Sequence, residues 1–107
     1  MPITDTLFDD FIHVRPRLTI LVRLARGGWV EFTQVRQSVG CSDSALSKQV
    51  SALQEAGYTE VCKMTERRRR RTWIRLTEQG RSALLRHLDA LERLAAQVRG
   101  PVSHRRP

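Results

Sequence analysis

The sequence predicts a mainly α domain carrying one small β-hairpin, an α+β arrangement, and three observations point to it. Apolar residues recur at helical spacing through most of the chain, in stretches closed by glycine. The spacing changes to alternation only between Thr59 and Leu76. Two consecutive helical stretches are joined by a tight turn at Gly40. With 107 residues, 40% of them hydrophobic, there is room for one domain and one modest core. That domain is placed at residues 1–100, followed by a flexible basic tail at 101–107.

Leu7, Phe8, Phe11 and Ile12 predict a short amphipathic helix over 4–13, with Asp5 in its first turn complementing the helix dipole. Pro16 suits the first turn of a second helix, because its missing N–H has no partner there in any case. Leu18, Leu21, Val22 and Ala25 lie along one side of that helix, and Gly27-Gly28 stop it. Trp29 to Phe32 is long enough only for a small β-bridge or extended piece. A third helix follows from Thr33 to Val39, burying Phe32, Val35 and Val39 and ending at Gly40.

Ser42 is a suitable N-cap for a fourth helix over Asp43 to Ala56, with Gly57 beyond its end. Leu46, Val50 and Leu53 share one face of it. The opposite face carries Ser44, Lys48 and Ser51, flanked by Ala45 and Ser47. Residues 33–57 therefore read as a helix-turn-helix. Strands Thr59–Thr65 and Thr72–Leu76 form a hairpin over 59–76, with Glu66 and the unbroken block Arg67 to Arg71 at its tip. Thr77 caps a long last helix over 78–98, which Gly100-Pro101 terminate. Along that helix Leu84, Leu88, Leu91, Ala95 and Val98 make a heptad-like seam.

Charge gives this architecture a partner. The net charge is +8, and it is uneven: Asp5, Asp9 and Asp10 make the start acidic, while the arginine block sits on the hairpin. Net charge alone indicates a polyanion, either nucleic acid or an anionic membrane surface. A helix-turn-helix can place its second helix in the major groove, which needs a face free of bulky apolar groups. Ser42, Ser44, Ser47, Lys48 and Ser51 meet that requirement and are the candidate major-groove residues. Five adjacent arginines repel one another, and a DNA backbone or narrow minor groove relieves the repulsion. Arg67, Arg68, Arg69, Arg70, Arg71 and Arg75 are the candidate backbone and minor-groove residues, about half of the block facing DNA at once because a hairpin alternates its side chains.

The order helix-turn-helix, basic hairpin, last helix is that of a winged helix-turn-helix. The run Ile12 to Leu21 resembles the opening of a family of small winged-helix regulators allied to the MarR and ArsR groups. So do Phe32 to Gly40, Asp43-Ser44-Ala45-Leu46-Ser47-Lys48, Leu53 to Tyr58, Arg68 to Thr72, and Leu76-Thr77-Glu78-Gln79-Gly80-Arg81. The resemblance covers Ile12 to Leu85 and implies a dimeric DNA-binding regulator, with the recognition helix at 43–56 and the wing at 63–74. The wing departs from the family's pattern, being arginine throughout where relatives mix in glycine or proline.

The seam on the last helix calls for a partner. Leu84, Leu88, Leu91 and Val98, with Leu7, Phe8 and Phe11 from the first helix, are the candidate interface of a two-fold homodimer. Such a dimer sets two recognition helices roughly 34 Å apart on a palindromic duplex. The expected function is sequence-specific transcriptional regulation, as a repressor, since no separate activation or effector domain is recognisable. The rival reading is a winged-helix module that docks on another protein and has only nonspecific affinity for nucleic acid.

Other functions find little support. No nucleophile elbow, phosphate loop, metalloprotease motif or cofactor fingerprint occurs, so no enzyme and no cofactor are expected. Cys41 and Cys62 lie far apart with no Cys-x-Cys, and His87 with Asp89 and Glu92 lacks a second histidine, so no metal site is expected. His13 is read as bordering the Pro16 turn. The two cysteines suit a reduced, cytoplasmic, nucleoid-associated protein, and no stretch is apolar enough to span a membrane. A small-molecule effector between the dimer helices and the DNA-binding lobe is compatible with the resemblance, although no residue marks it.

Overall fold

The computed structural model describes residues 7–102. Four helices and a three-stranded antiparallel sheet follow one another as α1 (Arg15–Leu24), β1 (Val30–Glu31), α2 (Phe32–Val39), α3 (Asp43–Glu55), β2 (Thr59–Glu66), β3 (Arg69–Leu76) and α4 (Glu78–Arg99). This is the winged helix fold. Pro16 sits in the first turn of α1, as its missing donor requires. Gly40 ends α2 in the left-handed region at φ 74°, where a side chain would be strained. The Ser42 hydroxyl accepts from the Ala45 N–H and starts α3.

The expected helix over 4–13 is not formed where it can be seen. Residues 4–6 lie outside the described residues, and Leu7 to Val14 make turns instead. The apolar spacing is helical, but the local hydrogen bonds go elsewhere. The Asp9 carboxylate accepts from the Phe11 and Ile12 N–H groups at 3.0 and 3.1 Å, capping a single turn closed by His13 N–H on the Asp9 carbonyl. The Asp9 N–H itself donates to His87 on α4. Of the expected tail, only Pro101 and Val102 are described, and neither has regular structure.

The core gathers Ile12, Ile20, Leu21, Leu24, Val35, Leu46, Leu53, Ile74 and Leu84, all essentially excluded from solvent. The extended piece at Trp29–Phe32 becomes β1, pairing Val30 with Ile74 and Glu31 with Trp73 to give the sheet order β1-β3-β2. Thr77 joins the hairpin to α4. Its hydroxyl accepts from the Gly80 N–H and donates to the Gly57 carbonyl at 2.6 Å. Gly80 has to be glycine, because a Cβ there would run into the Tyr58 carbonyl.

The seam of α4 divides in two. Leu84 is buried in the chain's own core, and Leu88 packs against it. Phe11 also packs on that core, edge-on to Tyr58. These three were expected at a dimer interface; in the single chain they pack on its own core, Leu84 buried and Leu88 and Phe11 half-buried. A helix of 22 residues is about 33 Å long and outruns a small core. Beyond Ala90 it carries Leu91 half-buried and Val98 83% exposed; Leu85, at 54%, and Leu7, at 41%, are exposed leucines.

Candidate nucleic-acid interface

Burial of Leu46, Val50 and Leu53 turns Ser44, Lys48 and Ser51 away from the core into solvent. A neighbouring stripe, Asp43, Ser47 and Gln54, turns towards the hairpin. Between α3 and the hairpin runs an open groove of about 440 Å³, lined by that stripe with Ser51 and by Val61, Lys63 and Thr72. Ser42 lies at the edge, engaged in its cap and 3.3 Å from the Ser44 hydroxyl. Asp43 pairs with Arg36 of α2 at 2.9 Å, tying the two helices of the turn together.

The hairpin register decides what each arginine does. Val61 pairs with Ile74, Lys63 with Thr72, and Thr65 with Arg70, so these residues share the inner face next to α3. Glu60 pairs with Arg75, Cys62 with Trp73, Met64 with Arg71, and Glu66 with Arg69, all on the outer face. The strands run further than the sequence suggested, to Glu66 and from Arg69, which leaves Arg67 and Arg68 alone as a two-residue turn. Their φ angles are 49° and 68°. A tight hairpin requires left-handed residues there, a job usually given to Asn-Gly.

The arginine block is therefore three groups rather than one tip. Arg67 and Arg68 project from the turn, and Arg70 stands on the inner face beside the groove. Arg69 and Arg71 stand on the outer face, where Arg71 reaches Glu31 at 3.6 Å. Arg75, expected at DNA, is on the same outer face and is fully engaged: Nε and Nη2 lie 2.9 and 2.7 Å from Glu60 Oε2, and its guanidinium covers the Trp29 ring at 4.6 Å. Lys63, Thr72 and Gln54 border the groove and were not singled out from the sequence. Pairing Val61 with Ile74 as the buried positions of the two strands is the signal that would have found them.

The profile of the winged helix DNA-binding domain family matches residues 16–95. The chain belongs to that family. No curated protein sequence matches it. Among solved structures, this winged helix chain is similar to a transcriptional regulator homologue from Pyrococcus horikoshii OT3, with 20% identity, 82% of this chain and 87% of that one covered, and a TM-score of 0.77. It is also similar to MarR, at 18% identity, 82% and 64% coverage and a TM-score of 0.71. The PcaV transcriptional regulator from Streptomyces coelicolor, solved with its natural ligand, gives 22% identity, 92% and 69% coverage and a TM-score of 0.70. At these identities the shared property is the MarR-like fold.

Among the described residues no group of three His, Cys, Asp or Glu side chains could hold a metal ion. Cys41 and Cys62 are both free thiols and half-buried. No helix among the described residues is long and apolar enough to cross a membrane. The second histidine that His87 lacked in the sequence is His13, 74 positions away, whose Nδ1 lies 3.1 Å from His87 Nε2.

Proposed function

We propose that this winged helix chain is a sequence-specific regulator of transcription that binds double-stranded DNA as a homodimer and represses by occupying its site. One observation supports this reading above the others: α3 and the inner face of the hairpin flank a groove whose lining has no acidic side chain other than the paired Asp43, and the same hairpin ends in the Arg67-Arg68 turn. Ser44, Lys48 and Ser51 read base edges, with Ser47 and Gln54 at the side nearest the wing. Arg67, Arg68 and Arg70 hold phosphates or the minor groove. Arg69, Arg71 and Arg75 stay with the fold.

The second copy packs on the outer part of α4, around Leu85, Leu91 and Val98, together with Leu7. Burying such exposed leucines and valines stabilises by roughly 1.5–3 kcal/mol per side chain. A small-molecule effector would act between α4 and the DNA-binding lobe; that PcaV was solved with its natural ligand is the precedent for an effector. Two measurements on the whole chain test the proposal: light scattering for mass, and selection from a random duplex pool. A dimer enriching a palindromic motif is the expected result. A monomer that enriches no motif overturns it in favour of a protein-docking module.

A further inference from the structure

The junction between the N-terminal segment and α4 holds a chain of hydrogen bonds that DNA recognition does not use. The Asp9 N–H donates to His87 Nδ1 at 3.0 Å, and His87 Nε2 lies 3.1 Å from His13 Nδ1. Because Nδ1 of His87 is an acceptor, the proton of its neutral ring sits on Nε2 and is donated to His13. The Phe8 ring packs on both imidazoles, its centroid 4.7 Å from each. His87 is fully buried, whereas His13 is exposed.

We infer that His87, seated against His13, forms a proton-operated latch, which holds the Phe8–Asp9 stretch on α4 while its ring is neutral and releases it when Nδ1 takes up a proton. The reason is a count of donors. Two hydrogen bonds in series use two donors and two acceptors, and neither acceptor nitrogen has a second lone pair in the ring plane. A proton added to His13 Nδ1 meets the His87 Nε2–H. Moving the His87 proton to Nδ1 restores that bond but faces the Asp9 N–H. A proton left on His13 thus costs the bond between the rings, whereas a proton on His87 Nδ1 costs the Asp9 bond, the one that holds the N-terminal stretch to α4.

The groups around the pair set where this happens. Burial is the largest influence and holds His87 below the usual 6.5, and the neighbouring His13 adds to it. Asp9 and Asp10 of the N-terminal segment act the other way. Tyr58, between α3 and β2, donates to Asp9 Oδ2, and burial followed by Asp9 raises its pKa, so it stays neutral. Arg17 of α1 is occupied with the Phe11 carbonyl and ring, and Arg86 of α4 acts on Tyr58. A histidine whose folded-state pKa is depressed stabilises the fold above its unfolded value of 6.5 and loses that contribution as pH falls through the folded value. The latch is therefore closed in neutral solution and opens in acid.

Opening bares the face of α4 that lies under Phe8, on the helix that carries the proposed dimer contact. That consequence rests on the proposed function, whereas the latch itself does not.

NMR of the whole chain between about pH 8 and 5 reads the latch directly. The imidazole signals of His87 and the Asp9 amide are expected to move with one shared midpoint below 6.5. Ring contacts between Phe8 and His87 should vanish in the same step, while the amides of α3 stay in place. His13→Asn keeps an acceptor, Oδ1, for the His87 Nε2 proton but removes the neighbouring imidazole that helps hold His87 down, and should raise the His87 midpoint. His13 titrating alone with an unmoved Asp9 amide overturns the latch, as does an unchanged midpoint in His13→Asn. Should sedimentation give one mass on both sides of a shared midpoint, the latch stands and the dimer role of α4 fails.

Discussion

The two faces of the hairpin carry the same residue type into opposite situations. On the outer face, Arg71 and Arg75 lean on Glu31 and Glu60, and Arg75 also covers Trp29. On the inner face and at the turn, Arg70, Arg68 and Arg67 have no acidic residue opposite them except Glu66 beside the turn, whose register partner is Arg69. A run of arginines is thus sorted by strand alternation into positions that maintain the sheet and positions left open to a polyanion. The difference teaches that a block of charge is no unit of function. Register has to be known before any one arginine receives a role.

The largest test of this contrast is at the turn. Two non-glycine residues held left-handed carry strain of about 1–2 kcal/mol each. Replacing Arg67→Asn together with Arg68→Gly is expected to stabilise the fold by roughly that order in urea unfolding. The same pair should weaken binding to every duplex and lower the salt slope by about 2 in anisotropy titrations. A fold that gains stability while DNA affinity stays constant would separate the turn from DNA altogether.

Next comes a direct comparison across the strand. Arg70→Ala should cost about 1.5–3 kcal/mol of DNA binding, uniformly over sequences, as expected for a charged hydrogen bond. Arg71→Ala should leave affinity within about 0.5 kcal/mol, as surface substitutions away from a site do. Equal losses would erase the distinction between faces. Lys48→Ala sharpens it from the other side, since loss of a base contact changes preference at one position of the selected motif by about 1–3 kcal/mol and leaves the remaining positions alone.

Smaller effects belong to the fold. Arg75→Ala should leave the salt slope unchanged and destabilise by about 1 kcal/mol, because its ion pair with Glu60 is about half exposed and screened. Thr59 is buried on the inner face with its hydroxyl unpartnered. Thr59→Val should therefore stabilise by up to about 1 kcal/mol in thermal unfolding, with DNA binding unaltered.

Most of the architecture was legible because burial writes itself as period. The stripe Leu46-Val50-Leu53 and the buried Val35 lie where helical spacing puts them, and the capping hydroxyls of Ser42 and Thr77 mark the starts of α3 and α4. The first helix failed for a long-range reason. Leu7, Phe8, Phe11 and Ile12 have helical spacing, yet Asp9 spends its carboxylate on two nearby amides and its own N–H on a histidine 78 positions away. The wing failed for want of punctuation. Five identical residues contain no turn signal, so only the pairing of Thr59 with Leu76, carried down the hairpin, locates the turn at Arg67-Arg68. The last helix was read as one seam although the core claims its first part and leaves the rest to solvent.

The neutralised outer face has a kinetic consequence. The net charge of +8 already subtracts Glu31 and Glu60, which cancel Arg71 and Arg75 at short range, so the surplus lies elsewhere. What a distant phosphate experiences is closer to a lopsided charge, strongest along the turn and the inner edge of the wing. On the proposed function, a torque would act on the tumbling molecule before contact, turning the wing towards DNA and shortening the orientational search that limits most associations. Raising salt should slow the encounter first and loosen the bound state second.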